Sequence, residues 1–233
     1  YVMNVLAIDT SNLVMGISVL DEGKVLGEYI TNLKKNHSIR VMPAIEEVLK
    51  ETGVKPAELD RIVVAKGPGS YTGVRIGVTI AKTLAWTLKK ELVGISSLEV
   101  LAQSGNYFEG YTVPLFDARR TQLFTGLYGR NESGEYQNLW EDQIILLKDW
   151  LEKLQTLDKK ILFVGSDLPL HQETIQNVLG DQAVFGQVSD HNPRPSELGR
   201  IGMTSEPVDI HSFTPSYLQL AEAEVNWLKS QGK

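Results

Sequence analysis

Short apolar runs bounded by turn residues indicate β-strands in the first half of the chain. The predicted strands cover residues 4–9, 14–20, 25–31, 61–65 and 91–95. Segments with apolar residues at spacings of three and four indicate helices between them. The predicted helices cover residues 37–52, 73–89 and 97–104. Pro43 lies inside the first helical pattern, so it is expected either to begin the regular part of that helix or to kink it.

The pattern breaks at residues 107–110, and a similar series of elements follows. This series is predicted to contain strands at 112–116, 122–128 and 161–164, a hairpin turn at 117–120, helices at 147–155, 170–179, 196–203 and 220–230, and an irregular stretch at 204–215. Because each half begins with strands and continues with strand–helix alternation, two similar α/β lobes are predicted. We place an N-terminal lobe at 1–106, a C-terminal lobe at 107–212 and a tail helix at 213–233 that packs back on the N-terminal lobe.

The helix predicted after the glycine-rich turn carries two rows of residues at four-residue spacing. The small row is Gly73, Gly77, Ala81 and Ala85, and the large row is Ile76, Ile80, Leu84 and Leu88. Glycine inside a helix costs roughly 0.5–1 kcal/mol relative to alanine, so a close contact should offset it. We expect the large row to pack on the sheet and the small row to receive another helix. That helix belongs either to the same lobe or to a partner chain, and the pattern does not separate the two.

Composition narrows the range of functions. The chain has 233 residues and no cysteine, which excludes disulfides, a cysteine nucleophile and iron–sulfur clusters. Its net charge is −6, so the isolated chain should bind RNA poorly. The basic pairs are separate in sequence and are read as surface: Lys34-Lys35, Lys89-Lys90, Arg119-Arg120 and Lys159-Lys160. Neither an apolar run of the ~18 residues that a membrane span needs nor a signal-peptide pattern is present, so the cytoplasm is expected.

Candidate chemistry is sparse. The turn at 67–73 lies where a helix start could hold phosphate, yet it matches neither G-x-x-x-x-G-K-[ST] nor G-x-G-x-x-G. Asp9-Thr10-Ser11 follows a strand, and it is either a phosphate- and metal-binding loop or an ordinary Asp/Ser turn. No two of the four histidines lie three or four residues apart, so no helical zinc pair is predicted.

Several segments together resemble the bacterial TsaB family, also called YeaZ. They are residues 3–20, Asn36-His37-Ser38 through Pro43 and Leu49, Lys66–Gly77 with Ala81-Lys82, Asp117-Ala118-Arg119, and Pro215–Leu218 with Glu222 and Glu224. The glycine-rich segment is the most specific of these. The resemblance covers the whole chain, strongly to about residue 128 and loosely from there to 212.

The resemblance implies a two-lobed actin-like ATPase fold (ASKHA, ribonuclease H-like), with mixed sheets flanked by helices. It implies a role in the threonylcarbamoyladenosine modification of tRNA, as a scaffold or activator of the catalytic paralogue TsaD, joined by the ATPase TsaE. Pairing is expected through N-terminal-lobe helices, with TsaD or with a second copy of the chain. The expected interface residues are His37, Arg40, Val41, Ile45, Tyr71, Gly73, Gly77, Ala81 and Ala85.

The same resemblance implies that this chain is not itself catalytic. The paralogue carries His-x-x-x-His metal ligands where this chain has Ser97 and Leu101, so no metal site is expected. ATP-binding relatives have a glycine-rich second phosphate turn, but residues 117–120 contain no glycine. We therefore read Asp9, Thr10 and Ser11 as a vestigial phosphate loop. No cofactor is expected for the chain alone, although ATP or ADP could lie at an interface shared with the paralogue.

Two other functions are alternatives for a chain of this kind. A small-molecule kinase of the same fold would bind and turn over ATP, which the glycine-free second turn disfavours. A metallopeptidase would need metal ligands, which the missing histidine pair disfavours.

Overall fold

The computed structural model describes residues 2–218. Five strands form the first sheet, and their bounds are β1 Val5–Asp9, β2 Val14–Leu20, β3 Val25–Asn32, β4 Arg61–Ala65 and β5 Glu91–Ile95. Their order is β3-β2-β1-β4-β5. The first three strands form an antiparallel meander, whereas β4 and β5 run parallel to β1. Parallel pairing requires crossovers, and the helices predicted between these strands supply them.

The second sheet repeats this topology. Its strands are β6 Tyr111–Asp117, β7 Gln122–Arg130, β8 Tyr136–Leu146, β9 Ile161–Val164 and β10 Ala183–Phe185. The order is β10-β9-β6-β7-β8, with an antiparallel β6-β7-β8 meander and parallel β6-β9 and β9-β10 pairs. The prediction of two similar α/β lobes with mixed sheets flanked by helices is therefore confirmed.

The helices cover the two faces of each sheet. Their bounds are α1 His37–Thr52, α2 Tyr71–Leu88, α3 Ser97–Ala102, α4 Leu147–Leu154, α5 Gln172–Leu179 and α6 Pro195–Thr204. Alternate side chains of β1 pack on opposite faces of the first sheet. Leu6 and Ile8 pack with α1 and α2, whereas Val5 and Ala7 pack with α6.

Helix α3 joins the two lobes. Val100 packs among residues of the first sheet, whereas Leu98 and Leu101 pack against Phe116 and Phe124 of the second. All three α3 side chains are buried. The lobes therefore share apolar contacts through this helix.

Helix α6 lies on the first sheet, although its sequence position falls in the predicted C-terminal lobe. Ser18 donates a hydrogen bond to the Pro195 carbonyl at 2.7 Å, and Leu198 is fully buried in the first lobe. The predicted boundary at residue 212 is thus wrong for α6, because the chain returns to the first lobe near residue 195. Residues beyond α6 continue along this lobe, where Phe213 is buried over Gly94.

Most predicted elements are present within one or two residues, including the irregular stretch after α6. Strands β8 and β10 were not predicted. Helix α1 begins at His37, six residues before Pro43, so the proline does not begin it. The closing helix predicted at 220–230 lies outside the described residues. Within residues 2–218, no helix is both long and apolar enough to cross a membrane.

Candidate partner-binding site

The small row of α2 faces the chain's own first sheet. A Cβ atom on Gly73 would lie 2.3 Å from the carbonyl oxygen of Thr10, and one on Gly77 would lie 2.6 Å from the Thr10 hydroxyl. Ala81 and Ala85 are fully buried in the same layer. The close contact that offsets the helical glycines is therefore the turn after β1, and not a second helix.

This orientation contradicts the expectation that Gly73, Gly77, Ala81 and Ala85 contact a partner. All four are buried within the chain, so a second protein could not reach them without unfolding the helix. The expectation is wrong for the same reason at Val41 and Ile45 of α1, which are 0% and 3% exposed. The large row, expected to face the sheet, is only partly buried.

The outer face of α1 and α2 is unusually apolar. On α1, Ile39 is 71% and Met42 is 46% exposed, and on α2 Trp86 is 65% exposed. A groove of about 630 Å³ opens between the two helices. Its apolar lining includes Met42, Pro43, Ile45, Leu49, Leu84 and Leu88. Glu46, Lys50 and Lys55 also line it. An apolar groove with charged residues beside it fits an amphipathic helix of a partner.

Three of the predicted interface residues remain accessible beside this face. Tyr71, the first residue of α2, is 42% exposed and stacks on Tyr217 with ring centroids 4.7 Å apart. His37 and Arg40 are half-buried. His37 donates from Nε2 to the Asn12 carbonyl at 2.6 Å, and Arg40 donates to the Thr31 hydroxyl at 2.9 Å. These bonds fix the start of α1, so both side chains also have a role within the chain.

The Asp9-Thr10-Ser11 turn is closed by its own chain. Thr10 and Ser11 are each 1% exposed. The Thr10 hydroxyl donates to the Gly73 carbonyl at 2.7 Å, and the Ser11 hydroxyl donates to Asp9 Oδ1 at 2.6 Å. A Cβ atom on Gly69 would lie 2.2 Å from the Ser11 carbonyl oxygen, so the glycine loop presses against the turn. Neither hydroxyl is available to a phosphate in this arrangement.

The Asp9 carboxyl is itself buried. Burial raises its pKa, and the hydrogen bonds from Ser11 oppose that rise. Its Oδ2 atom has no hydrogen-bond partner among the described residues. No group of three or more His, Cys, Asp or Glu residues placed to hold a metal occurs within residues 2–218.

Comparisons with known proteins identify the family. A family model described as "TsaD: tRNA N6-adenosine threonylcarbamoyltransferase" matches residues 24–227. The chain is 52% identical to the tRNA threonylcarbamoyladenosine biosynthesis protein TsaB of Bacillus subtilis (strain 168), across 98% of this chain and 100% of that protein. The chain belongs to the TsaB family.

More distant relatives agree with this membership. The TsaB protein of Escherichia coli (strain K12) is 28% identical over 99% of this chain and 100% of its own length. The solved structure of YeaZ from Pseudomonas aeruginosa superposes with a TM-score of 0.77 and 23% identity, over 93% of this chain and 100% of that one. That likeness and the repeated sheet topology confirm the two-lobed actin-like fold.

The resemblance to the TsaB family implies that Ser97 and Leu101 stand where the paralogue has metal ligands, and in the structure both are buried side chains of the fold. Ser97 is fully buried, and its hydroxyl accepts a hydrogen bond from the Gly67 amide at 3.1 Å. Leu101 is fully buried in the apolar contact between the lobes. Both side chains stabilise the packing of α3, and neither offers a nitrogen ligand.

Two carboxyl groups lie where α3 of this TsaB-family chain meets the second sheet. Asp142 accepts hydrogen bonds from the Ser96 hydroxyl and, at 2.6 Å, from the Tyr128 hydroxyl. Burial raises the pKa of Asp142, and these bonds oppose the rise. Burial also raises the pKa of Glu99, and the neighbouring Asp142 carboxylate raises it further.

The raised pKa of Glu99 predicts a pH dependence of stability. Because this pKa is higher in the folded chain, the folded state holds more protons, and stability falls as pH rises from the unfolded to the folded pKa. Glutamine does not titrate, so the Glu99→Gln variant does not lose free energy of unfolding in this way. Its free energy of unfolding should therefore increase relative to that of wild type as the pH rises from about 4. Urea unfolding at several pH values measures this. Exposed Glu109 provides the Glu109→Gln control, and an equal trend in both variants would contradict the prediction.

Proposed function

We propose that this chain is a non-catalytic scaffold or activator subunit for threonylcarbamoyladenosine modification of tRNA. It pairs with a TsaD-like catalytic paralogue, is joined by a TsaE-like ATPase and acts in the cytoplasm. The observation that carries the proposal is the apolar face on α1 and α2, with Ile39 and Met42 exposed beside an open groove. Monomeric proteins rarely leave a large apolar patch uncovered.

The remaining geometry supports a non-catalytic role. The hydroxyls of Thr10 and Ser11 are engaged within the chain, so the first phosphate loop offers no free hydroxyl donor. The positions of the paralogue's metal ligands hold Ser97 and Leu101. We therefore propose that the chain alone needs no cofactor and that the place for ATP or ADP is the interface shared with the paralogue. The tRNA is the substrate of the complex.

The kinase alternative is not favoured. It would need a phosphate loop open to nucleotide, yet Thr10 and Ser11 are each 1% exposed. A kinase of this fold also needs close backbone approach at the second phosphate turn, where this chain carries Arg119 and Arg120. No observation favours that function over the scaffold.

The test is pairing with the TsaD-like protein of the same organism, measured as complex mass by light scattering and as Kd by titration. The double variant Ile39→Asp, Met42→Asp places two charges in the centre of the apolar face. Loss of two central apolar contacts should weaken pairing about 100-fold. In the absence of the paralogue, the wild-type chain should form a homodimer through the same face, and the variant should be monomeric.

The matched control is Val188→Asp, because Val188 is 90% exposed and lies in the second lobe. This change introduces one carboxylate, the same group as each substitution of the double variant, at an exposed apolar residue outside the proposed interface. It should leave both pairing and homodimerisation unchanged. Equal pairing by the folded α1 variant and by the control would overturn the proposed interface. Absence of any complex with wild type would overturn the scaffold function.

A further inference from the structure

The turn between β6 and β7 contains three consecutive non-glycine residues with positive φ angles, a backbone conformation that residues other than glycine rarely adopt. The φ angles of Arg119, Arg120 and Thr121 are +64°, +52° and +61°. Gln122 donates its amide to the Arg119 carbonyl at 2.9 Å, so Arg120 and Thr121 are the central residues of a tight turn. Positive φ at both central positions is the signature of a type I′ turn, for which Asn-Gly is the preferred pair.

The sequence does not satisfy this preference. A non-glycine residue in the left-handed region is unfavourable, and a β-branched residue such as Thr121 is an outlier there. Strained conformations persist where the surroundings hold them, and they are concentrated at functional sites.

Hydrogen bonds from neighbouring residues fix both ends of the turn. Asp117 Oδ2 accepts the Arg119 amide at 3.3 Å, and Asp117 Oδ1 accepts a hydrogen bond from His171 at 2.9 Å. At the other end of the turn, the Leu147 amide donates to the Thr121 carbonyl at 2.8 Å. The turn is therefore held against α4 and α5, and its shape does not depend on the two arginine side chains.

Those side chains are available to a ligand. Arg119 and Arg120 are exposed, and neither side chain has a hydrogen bond or ion pair among residues 2–218. Lys148 is also exposed and follows Leu147, which bonds to the turn; it makes a long contact of 4.0 Å with Glu152. The turn thus presents two unpaired guanidinium groups, and Lys148 follows a residue that bonds to the turn, on a chain whose net charge is −6.

We propose that the Arg119-Arg120 turn contacts the phosphate backbone of the RNA substrate within the assembled complex. This inference rests on the proposed function. Guanidinium groups match phosphate oxygens with paired hydrogen bonds, and phosphate contacts position RNA without reading its sequence. The exposed turn residues include no apolar side chain of the kind found at the centre of protein interfaces. Arginine is a poor residue for this backbone conformation, so its presence in the turn is explained if the side chains bind a ligand.

The test measures binding of unmodified substrate tRNA to the complex of this chain with its TsaD-like paralogue. Arg119→Ala, Arg120→Ala should weaken binding about tenfold near 0.1 M salt and reduce the slope of log K against log salt by about 1.4–1.8, for two phosphate contacts. Arg120→Asn, Thr121→Gly supplies the preferred turn residues and removes one arginine. It should raise the Tm by about 2–4 °C and still weaken tRNA binding, a pair of changes that a purely structural role would not produce.

The matched control is Lys159→Ala, Lys160→Ala, which removes the same charge from the same lobe. The two basic pairs lie at opposite ends of β6. The lysines precede Ile161, which pairs with Tyr111 at the start of this strand, and the arginines follow Asp117 at its end. The control should bind tRNA like wild type. Unchanged tRNA binding by an assembled arginine variant would overturn the inference and leave the scaffold function intact. If the double arginine variant no longer pairs with the paralogue, the turn contacts that protein and the inference is overturned. If the variant binds tRNA normally but has lost ATP binding, the turn contacts the nucleotide and the inference is again overturned. Failure of wild type to assemble would overturn the scaffold function, and this inference with it.

Discussion

Gly73→Ala is expected to lower the free energy of unfolding by about 3 kcal/mol. In an unconstrained helix the same change would stabilise by roughly 0.5–1 kcal/mol, because alanine is the better helix former. The sign reverses here because the new Cβ would lie 2.3 Å from the backbone carbonyl oxygen of Thr10. That oxygen belongs to a buried turn and cannot move without disturbing the end of β1. Urea unfolding monitored by circular dichroism measures the change as a shift in midpoint at constant m-value.

The matched control is Thr79→Ala, an exposed position on the same helix. It should change stability by no more than about 0.5 kcal/mol. A Gly73→Ala protein as stable as wild type would show that α2 does not press on the turn after β1. At permissive temperature, the folded fraction of Gly73→Ala should still pair with the paralogue, because the small row lies inside the chain and not at the interface.

The orientation of α2 was the main error in predicting the site from sequence. The two rows at four-residue spacing are real, but periodicity alone does not say which one faces the sheet. Val74 and Val78 were the missed signal, since each follows a small residue and both are buried with Gly73 and Gly77. The buried stripe therefore combines glycine, alanine and valine. Ile76 and Ile80, expected on the sheet, are left partly exposed beside α1.

The missed strand β8 shows a different limit. It contains Asn138, Glu141, Asp142 and Gln143, which divide its apolar residues into two short runs at 139–140 and 144–146. As an edge strand it is stabilised by its pairing with β7, and its register shifts near Leu127 disturb the alternation that periodicity would detect. Strands such as β2 and β4, buried along their whole length, were predicted within a residue because nearly all of their residues are apolar.

The sequence pointed to the N-terminal-lobe helices as the partner surface, which stays a prediction, but it did not reveal the exposed apolar face that the structure shows on α1 and α2. Ile39, Met42 and Trp86 were not singled out, because exposed and buried apolar residues look alike in a sequence. The strain at Arg119, Arg120 and Thr121 was also invisible, since a hairpin turn of ordinary residues gives no sign of positive φ.

Arg61→Ala is expected to be strongly destabilising, with a loss of about 3–5 kcal/mol, because it leaves several backbone carbonyls without a donor. Arg61 is 7% exposed at the start of β4, and its Nη1 donates to three backbone carbonyls at the end of α6, those of Gly202, Met203 and Ser205, at 2.8–3.0 Å. It also pairs with Glu91. A cation is favourable at a helix C-terminus, where carbonyls lack helical partners. Alanine would leave these carbonyls without their donor and would remove the attachment of the α6 C-terminus to the sheet.

The opposite end of α6 explains why this attachment matters. Ser196 donates its amide and hydroxyl to the Glu28 carboxylate, at 3.0 and 2.6 Å. Burial acts to raise the pKa of Glu28, but hydrogen bonds from Arg194 and Ser196 outweigh it and hold the pKa below its ordinary value. Helix α6 is thus held by an anion at its N-terminus and a cation at its C-terminus, on the sheet face opposite α1 and α2.

The control for Arg61→Ala is Arg200→Ala on α6. Arg200 is exposed, so its replacement should lower the free energy of unfolding by no more than about 1 kcal/mol. If thermal unfolding shows equal losses for the two variants, Arg61 does not hold α6 in place. If only Arg61→Ala unfolds early, the sheet beneath the exposed apolar face of α1 and α2 depends on a helix that follows the second lobe in sequence.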